Sequence, residues 1–108
     1  MNCGLPEATV EYIRAVFYRY PEVETAILYG SRAKGNFKPG SDVDLTLLGP
    51  ELTRQILGRI QSDLEVSPLP YRFDLSVLAQ ITHPELIEHV KRVGITFYQK
   101  NSPVVRQK

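Results

Sequence analysis

The sequence predicts an α/β sandwich, with helices laid against a small mixed β-sheet. Three observations carry that expectation. Segments with apolar residues at steps of three and four alternate with short, mostly apolar runs of strand length, and Gly and Pro punctuate the joints. With 108 residues, 43% of them hydrophobic, the chain can bury one core and has no room for two full domains.

Between Pro6 and Tyr20, Val10, Ile13, Val16, Phe17 and Tyr20 recur at helical spacing among Glu7, Glu11, Arg14 and Arg19, and Pro21 ends the segment. Thr25 to Tyr29 reads as a buried strand closed by Gly30. Ser31 to Ser41 holds Gly35, Pro39 and Gly40 with little apolar content, a loop with one or two helical turns at its start. Asp42 to Leu48 is a strand with one polar and one buried end, stopped by Gly49-Pro50. Leu52, Ile56, Ile60 and Leu64 then form one stripe of a helix over 51–64, with Pro50 at its first position. After Ser67, Pro68 and Pro70, Tyr71 to Leu78 alternates, placing Tyr71, Phe73, Leu75 and Val77 on one face of a third strand. Thr82-His83-Pro84-Glu85 has the form of a capping box opening a helix through Val93, with Leu86, Val90 and Val93 inward and Gly94 at its stop. Ile95 to Tyr98 adds an edge strand. One domain is therefore expected over 1–98, with the polar, proline-containing residues 99–108 as a flexible tail.

Charge and cysteine content narrow the function. Thirteen Lys+Arg against twelve Asp+Glu leave a formal net charge of +1, so no global field draws the chain to nucleic acid or anionic membrane. Affinity for phosphate must be local. The single cysteine, Cys3, excludes an internal disulfide framework and a Cys-rich zinc site, suits a reducing cytosol, and is read as incidental near a mobile terminus. The N-terminus lacks a basic region followed by an apolar stretch, and no window approaches a membrane span. A soluble cytoplasmic chain is expected.

The informative stretch runs from Gly30-Ser31-Arg32-Ala33-Lys34-Gly35 to Asp42-Val43-Asp44. Alternate residues of a strand share a face, so Asp42 and Asp44 would place two carboxylates about 7 Å apart at their Cα atoms. A divalent cation relieves their repulsion, and Mg²⁺ commonly takes one or two carboxylates plus substrate phosphates. Alone, the pair would be ordinary turn chemistry at a strand entrance. Leu45, Leu47 and Leu48 instead put it at the mouth of an apolar core, and Asp74 adds a third acid between Phe73 and Leu75 in the next strand. Three such acids can hold two metals about 4 Å apart, an arrangement that stabilises attacking and leaving oxygens in phosphoryl or nucleotidyl transfer. Gly30-Ser31 supplies a turn into a short helix whose amides, with the Ser31 hydroxyl, suit phosphate. Arg32, Lys34 and Lys38 add local positive charge.

Competing motifs fail on the same residues. Asn36-Phe37 stands where a Walker A loop needs Lys-Ser/Thr. In haloacid-dehalogenase-type phosphatases the apolar strand precedes the acids, whereas here it follows them. A calcium loop would need Gly at Leu47 and Glu at Thr53.

Gly30-Ser31, ten intervening residues, Asp42-Val43-Asp44 and the later strand acid Asp74 resemble the DNA polymerase β-type nucleotidyltransferase superfamily, in particular its minimal, MNT-type members. The resemblance covers Tyr29 to Leu78. It implies a nucleotidyltransferase fold around two Mg²⁺ ions and a bound NTP, ATP by preference. Gly30, Ser31, Arg32 and Lys34 would bind the nucleotide, Asp42 and Asp44 would hold both metals, and Asp74 would bind the catalytic metal and help deprotonate the attacking hydroxyl. Minimal members are often paired with a small helical partner, either a substrate-binding protein or a HEPN-type toxin that the antitoxin can adenylylate. The resemblance thus implies transfer of an NMP to a hydroxyl of a partner protein or small molecule, as antitoxin of a toxin–antitoxin pair and within a homo- or hetero-oligomer. The alternative is a non-catalytic antitoxin that neutralises its helical partner by complex formation. His83 and His89 are read as capping or surface residues without chemistry. Phe37, in a polar loop, is read as loop packing, with base stacking or partner contact as the alternative.

Overall fold

The computed structural model describes residues 3–101. Its elements follow the expected order: α1 (Glu7–Tyr18), β1 (Thr25–Tyr29), α2 (Ser31–Lys34), β2 (Val43–Leu48), α3 (Arg54–Glu65), β3 (Phe73–Val77), a 3₁₀ turn (Leu78–Gln80), α4 (Pro84–Val93) and β4 (Ile95–Gln99). The strands form one mixed sheet in the order β3-β2-β1-β4. β1 runs antiparallel to both neighbours, whereas β2 and β3 are parallel, joined by the α3 crossover.

The period-two alternation decides which face meets the helices. Ala26 and Leu28 of β1, Val43, Leu45 and Leu47 of β2, and Phe73, Leu75 and Val77 of β3 are all buried. They pack with Val10, Ile13, Val16 and Phe17 of α1 and Ile60 and Leu64 of α3 in one core. Alternation then puts Ile27, Tyr29, Asp44, Thr46, Asp74 and Ser76 on the opposite face. α4 lies against that second face, where Gly94 sits so close to Ile27 Cγ2 that a Cβ added there would collide with it.

Four expectations need correction. The second long helix starts at Arg54, not near Pro50, because the Thr53 side chain caps it by accepting from the Ile56 amide at 3.1 Å. His83, rather than Thr82, caps α4, its Nδ1 accepting from the Leu86 amide at 3.4 Å with Pro84 at the first helical position. Gly94 ends α4 as expected, and because its φ is an ordinary negative one, steric closeness rather than left-handed geometry selects it. Cys3 is fully buried in the core. Of the expected tail, Gln99 belongs to β4 and the Lys100 amide donates to Glu24 O at 2.8 Å, while 102–108 lie outside the described residues.

Candidate active site

The topology gathers the acids at one end of the sheet. β1 ends where β2 and β3 begin, so Tyr29 pairs with Asp44 and Asp44 pairs with Asp74, three register partners in one row. Register partners point to the same face, which is the one opposite α1 and α3. Asp74 thus lies beside Asp44, on its side of the sheet. Asp42 is exposed at the entrance to β2, near enough for its charge to act on Asp44. The Asp44 carboxyl is held above the usual aspartate range, first by burial and then by the charges of Asp74 and Asp42. Burial also pushes the Tyr29 hydroxyl up, opposed by the neighbouring Ser76 hydroxyl and reinforced by Asp74 and Asp44. Behind the row, Ser76 Oγ donates to Thr46 Oγ1 at 2.8 Å.

The turn after β1 folds over this row. Gly30 has φ 77° and ψ −157°, a region essentially confined to glycine. It packs against Asp44 so tightly that an added Cβ would overlap Asp44 Oδ2. Conformation and space therefore select the same residue. Gly30→Ala is expected to cost about 1–3 kcal/mol of stability, read as a lower urea midpoint; an unchanged midpoint would show that the turn accepts a side chain. Ser31 opens the single-turn α2, whose first amides have no partner within the helix. Lys34 is exposed at the end of that turn.

Arg32 and Phe37 of the basic loop pack against each other. Arg32 is 1% exposed and turned inward: Nη1 donates to Cys3 O at 2.9 Å, Nη2 to Ser41 O at 3.0 Å and Pro39 O at 3.3 Å, and Nε to Ser41 O at 3.2 Å. Its guanidinium lies 5.4 Å from the Phe37 ring centroid and 5.3 Å from that of Tyr71. With its fork spent on loop carbonyls, Arg32 shapes the 35–41 loop. Phe37 correspondingly packs on Arg32 and beside Gly4, so its ring is loop packing and not a free platform for a base.

His89 is the residue that sequence reasoning missed. The Gly30 amide donates to its Nε2 at 3.1 Å, and its ring meets Tyr29 edge-on with centroids 6.1 Å apart. Helical spacing set it three residues after Leu86 and next to Val90, on the inward side of α4. Nothing local says which strand end that side meets.

The donor set suits a hard divalent cation only in part by itself. Among the described residues, the ion pairs are Arg14–Glu11 and Arg19–Asp63, so no Lys or Arg neutralises the acid row. Also among the described residues, no group of three or more His, Cys, Asp or Glu side chains is gathered closely enough to hold an ion. Mg²⁺ does not require a closed protein cage, because one or two carboxylates and the oxygens of a substrate phosphate satisfy it. Asp44 and Asp74 with a nucleotide meet that requirement.

The family model described as "Polymerase beta, Nucleotidyltransferase" matches residues 11–103, which include the whole row and the turn above it. The chain belongs to this family. It carries a nucleotidyltransferase domain with the mixed four-stranded sheet described above. Solved structures agree on the fold. A toxin–antitoxin complex with AMP-PNP contains a chain that matches at a TM-score of 0.68 with 21% identity, over 90% of this chain and 76% of that one. The MntA-HepT toxin–antitoxin matches at 0.58 with 17% identity, over 87% and 73%. A complex of tri-AMPylated Shewanella oneidensis HEPN toxin with its MNT antitoxin matches at 0.58 with 17% identity, over 86% and 71%. No curated protein matches the chain. Among the described residues, no helix is long and apolar enough to cross a membrane.

Proposed function

We propose that this nucleotidyltransferase transfers an NMP, AMP from ATP, to a hydroxyl group of a small helical partner protein, as the antitoxin of a cytoplasmic toxin–antitoxin pair. The observation that carries the reading is the register pairing of Asp44 with Asp74 directly beside the Gly30 turn. Carboxylates and phosphate-binding turn are then within one substrate's reach. The nucleotide and toxin in the neighbouring complexes support the donor and the partner.

In the proposed reaction the acceptor oxygen attacks the α-phosphorus of the NTP. A new oxygen–phosphorus bond forms, the bond from the α-phosphorus to the bridging oxygen breaks, and pyrophosphate leaves with that electron pair. The hydroxyl proton passes to a carboxylate, for which Asp74 is the exposed member of the row, and from there to water. Ser31 and the first amides of α2 orient the triphosphate, and exposed Lys34 offsets its charge. Asp42, Asp44 and Asp74 would hold Mg²⁺, two ions on the family pattern, together with phosphate oxygens. When bound, that metal supplies charge neutralisation at the transferring phosphoryl group.

The test mixes the purified chain, the product of the adjoining gene, Mg²⁺ and each labelled NTP, followed by intact mass. A gain of one or more nucleotide masses on the partner, abolished by EDTA, is expected. No gain with any NTP would remove the reading. Replacing Asp42 and Asp44 together by Asn separates transfer from masking: loss of transfer with loss of neutralisation supports catalysis, whereas a double variant that still neutralises the partner returns the chain to a stoichiometric binding role.

A further inference from the structure

His89 reaches the site from 59 residues away in the sequence, on a helix to which the reaction assigns no part. Three observations converge on it. Gly30 holds a conformation that a side chain would strain, and its amide is turned toward α4. The imidazole Nε2 accepts that amide at 3.1 Å, which requires a neutral ring protonated on Nδ1. Gly94 lets α4 approach β1 at Ile27, so the helix is docked closely enough for His89 to make the contact.

We propose that His89 is a positioning residue for nucleotide binding. By accepting the Gly30 amide it pins the turn over Asp44, which fixes where Ser31 and the first amides of α2 meet the triphosphate. It touches neither the reacting atoms nor the phosphates. Without an acceptor, a part-buried amide is left unpaired and the turn can swing off the acid row, so ground-state binding of the nucleotide suffers more than the chemical step. This inference rests on the nucleotidyl-transfer reading above.

Three substitutions separate the acceptor from mere packing. His89→Gln keeps an acceptor at a similar reach, His89→Phe keeps a ring against Tyr29 without the acceptor, and His89→Leu keeps neither. With the partner and Mg²⁺ present, Leu and Phe should raise KM for the NTP about tenfold with kcat within about twofold, the scale of one lost hydrogen bond. Gln should stay within about threefold of wild type by the same measure. Phe behaving as wild type would mean that only ring packing matters and would overturn the proposal, as would Gln failing as badly as Leu. A readout free of turnover is the ¹⁵N spectrum of the imidazole: the Nδ1–H tautomer is expected in the wild-type chain, and the Nε2–H tautomer contradicts the proposal. Wild-type protein that transfers no nucleotide while showing the expected tautomer would instead remove the functional reading, and the nucleotide role of His89 with it.

Discussion

Asp44→Asn should abolish nucleotide transfer while making the protein more stable. The carboxyl is half-buried beside Asp74 and Asp42, and each of these conditions disfavours its charged form in the fold. At neutral pH the wild-type chain therefore carries an ionised group that folding opposes, and the amide removes that opposition. Transfer should fall by roughly 10³-fold or more, the scale on which preorganised charge-stabilising groups contribute. The melting temperature should rise by a few degrees, since about 1 kcal/mol moves a domain of this size by roughly 4–8 °C. The gain has a defined pH profile. Below the ordinary aspartate range both proteins hold a neutral group and their stabilities coincide. The wild type then loses stability as pH rises toward and through the raised pKa of Asp44, so the difference is complete at neutral pH. Nucleotide with Mg²⁺ should raise the melting temperature of the wild type alone. A variant less stable than wild type at pH 7 would show that Asp44 is a structural residue, because a carboxylate kept for chemistry is the one that folding tolerates at a cost.

Arg32→Ala should come close to unfolding the chain. Truncation leaves the carbonyls of Cys3, Pro39 and Ser41 without their donor and opens a gap between Phe37 and Tyr71. Charge-assisted hydrogen bonds are worth about 1.5–3 kcal/mol each, so even after the relief of a buried charge the loss should be roughly 3 kcal/mol or more, a large share of a small domain's total. Arg32→Lys should recover little of it, since a single ammonium cannot serve three carbonyls in a planar fork. Urea unfolding decides the matter together with KM. A variant with an unchanged midpoint and a raised KM for the NTP would return Arg32 to the phosphate-binding role that its place in the Gly-Ser-Arg stretch first suggests.

Much of this architecture is legible in the residues because its determinants are local. The spacing of Ile13, Val16 and Phe17, and the alternation of Phe73, Leu75 and Val77, report the buried side of an element directly. The joint placement of Asp44 and Asp74 is also legible, since each sits out of phase with the apolar residues of its own strand. What stays hidden depends on distance along the chain. Arg32 and His89 are both polar residues whose partners lie in other elements, Cys3 for one and Gly30 for the other. Their types and spacing are equally compatible with solvent. The start of α3 was hidden for a different reason: Pro50 and Thr53 are both good opening residues, and only the observed side-chain cap selects the second.

The parallel pairing of β2 with β3 has one more consequence. Asp44 faces Asp74 because Val43, Leu45 and Leu47 are matched with Phe73, Leu75 and Val77 behind them. A slip of one residue would turn the acid of one strand into the hydrocarbon interior, and the core forbids that at great cost. The greasy side of the sheet is thus a vernier for the wet side, and selection for tight packing there also keeps the two acids aligned.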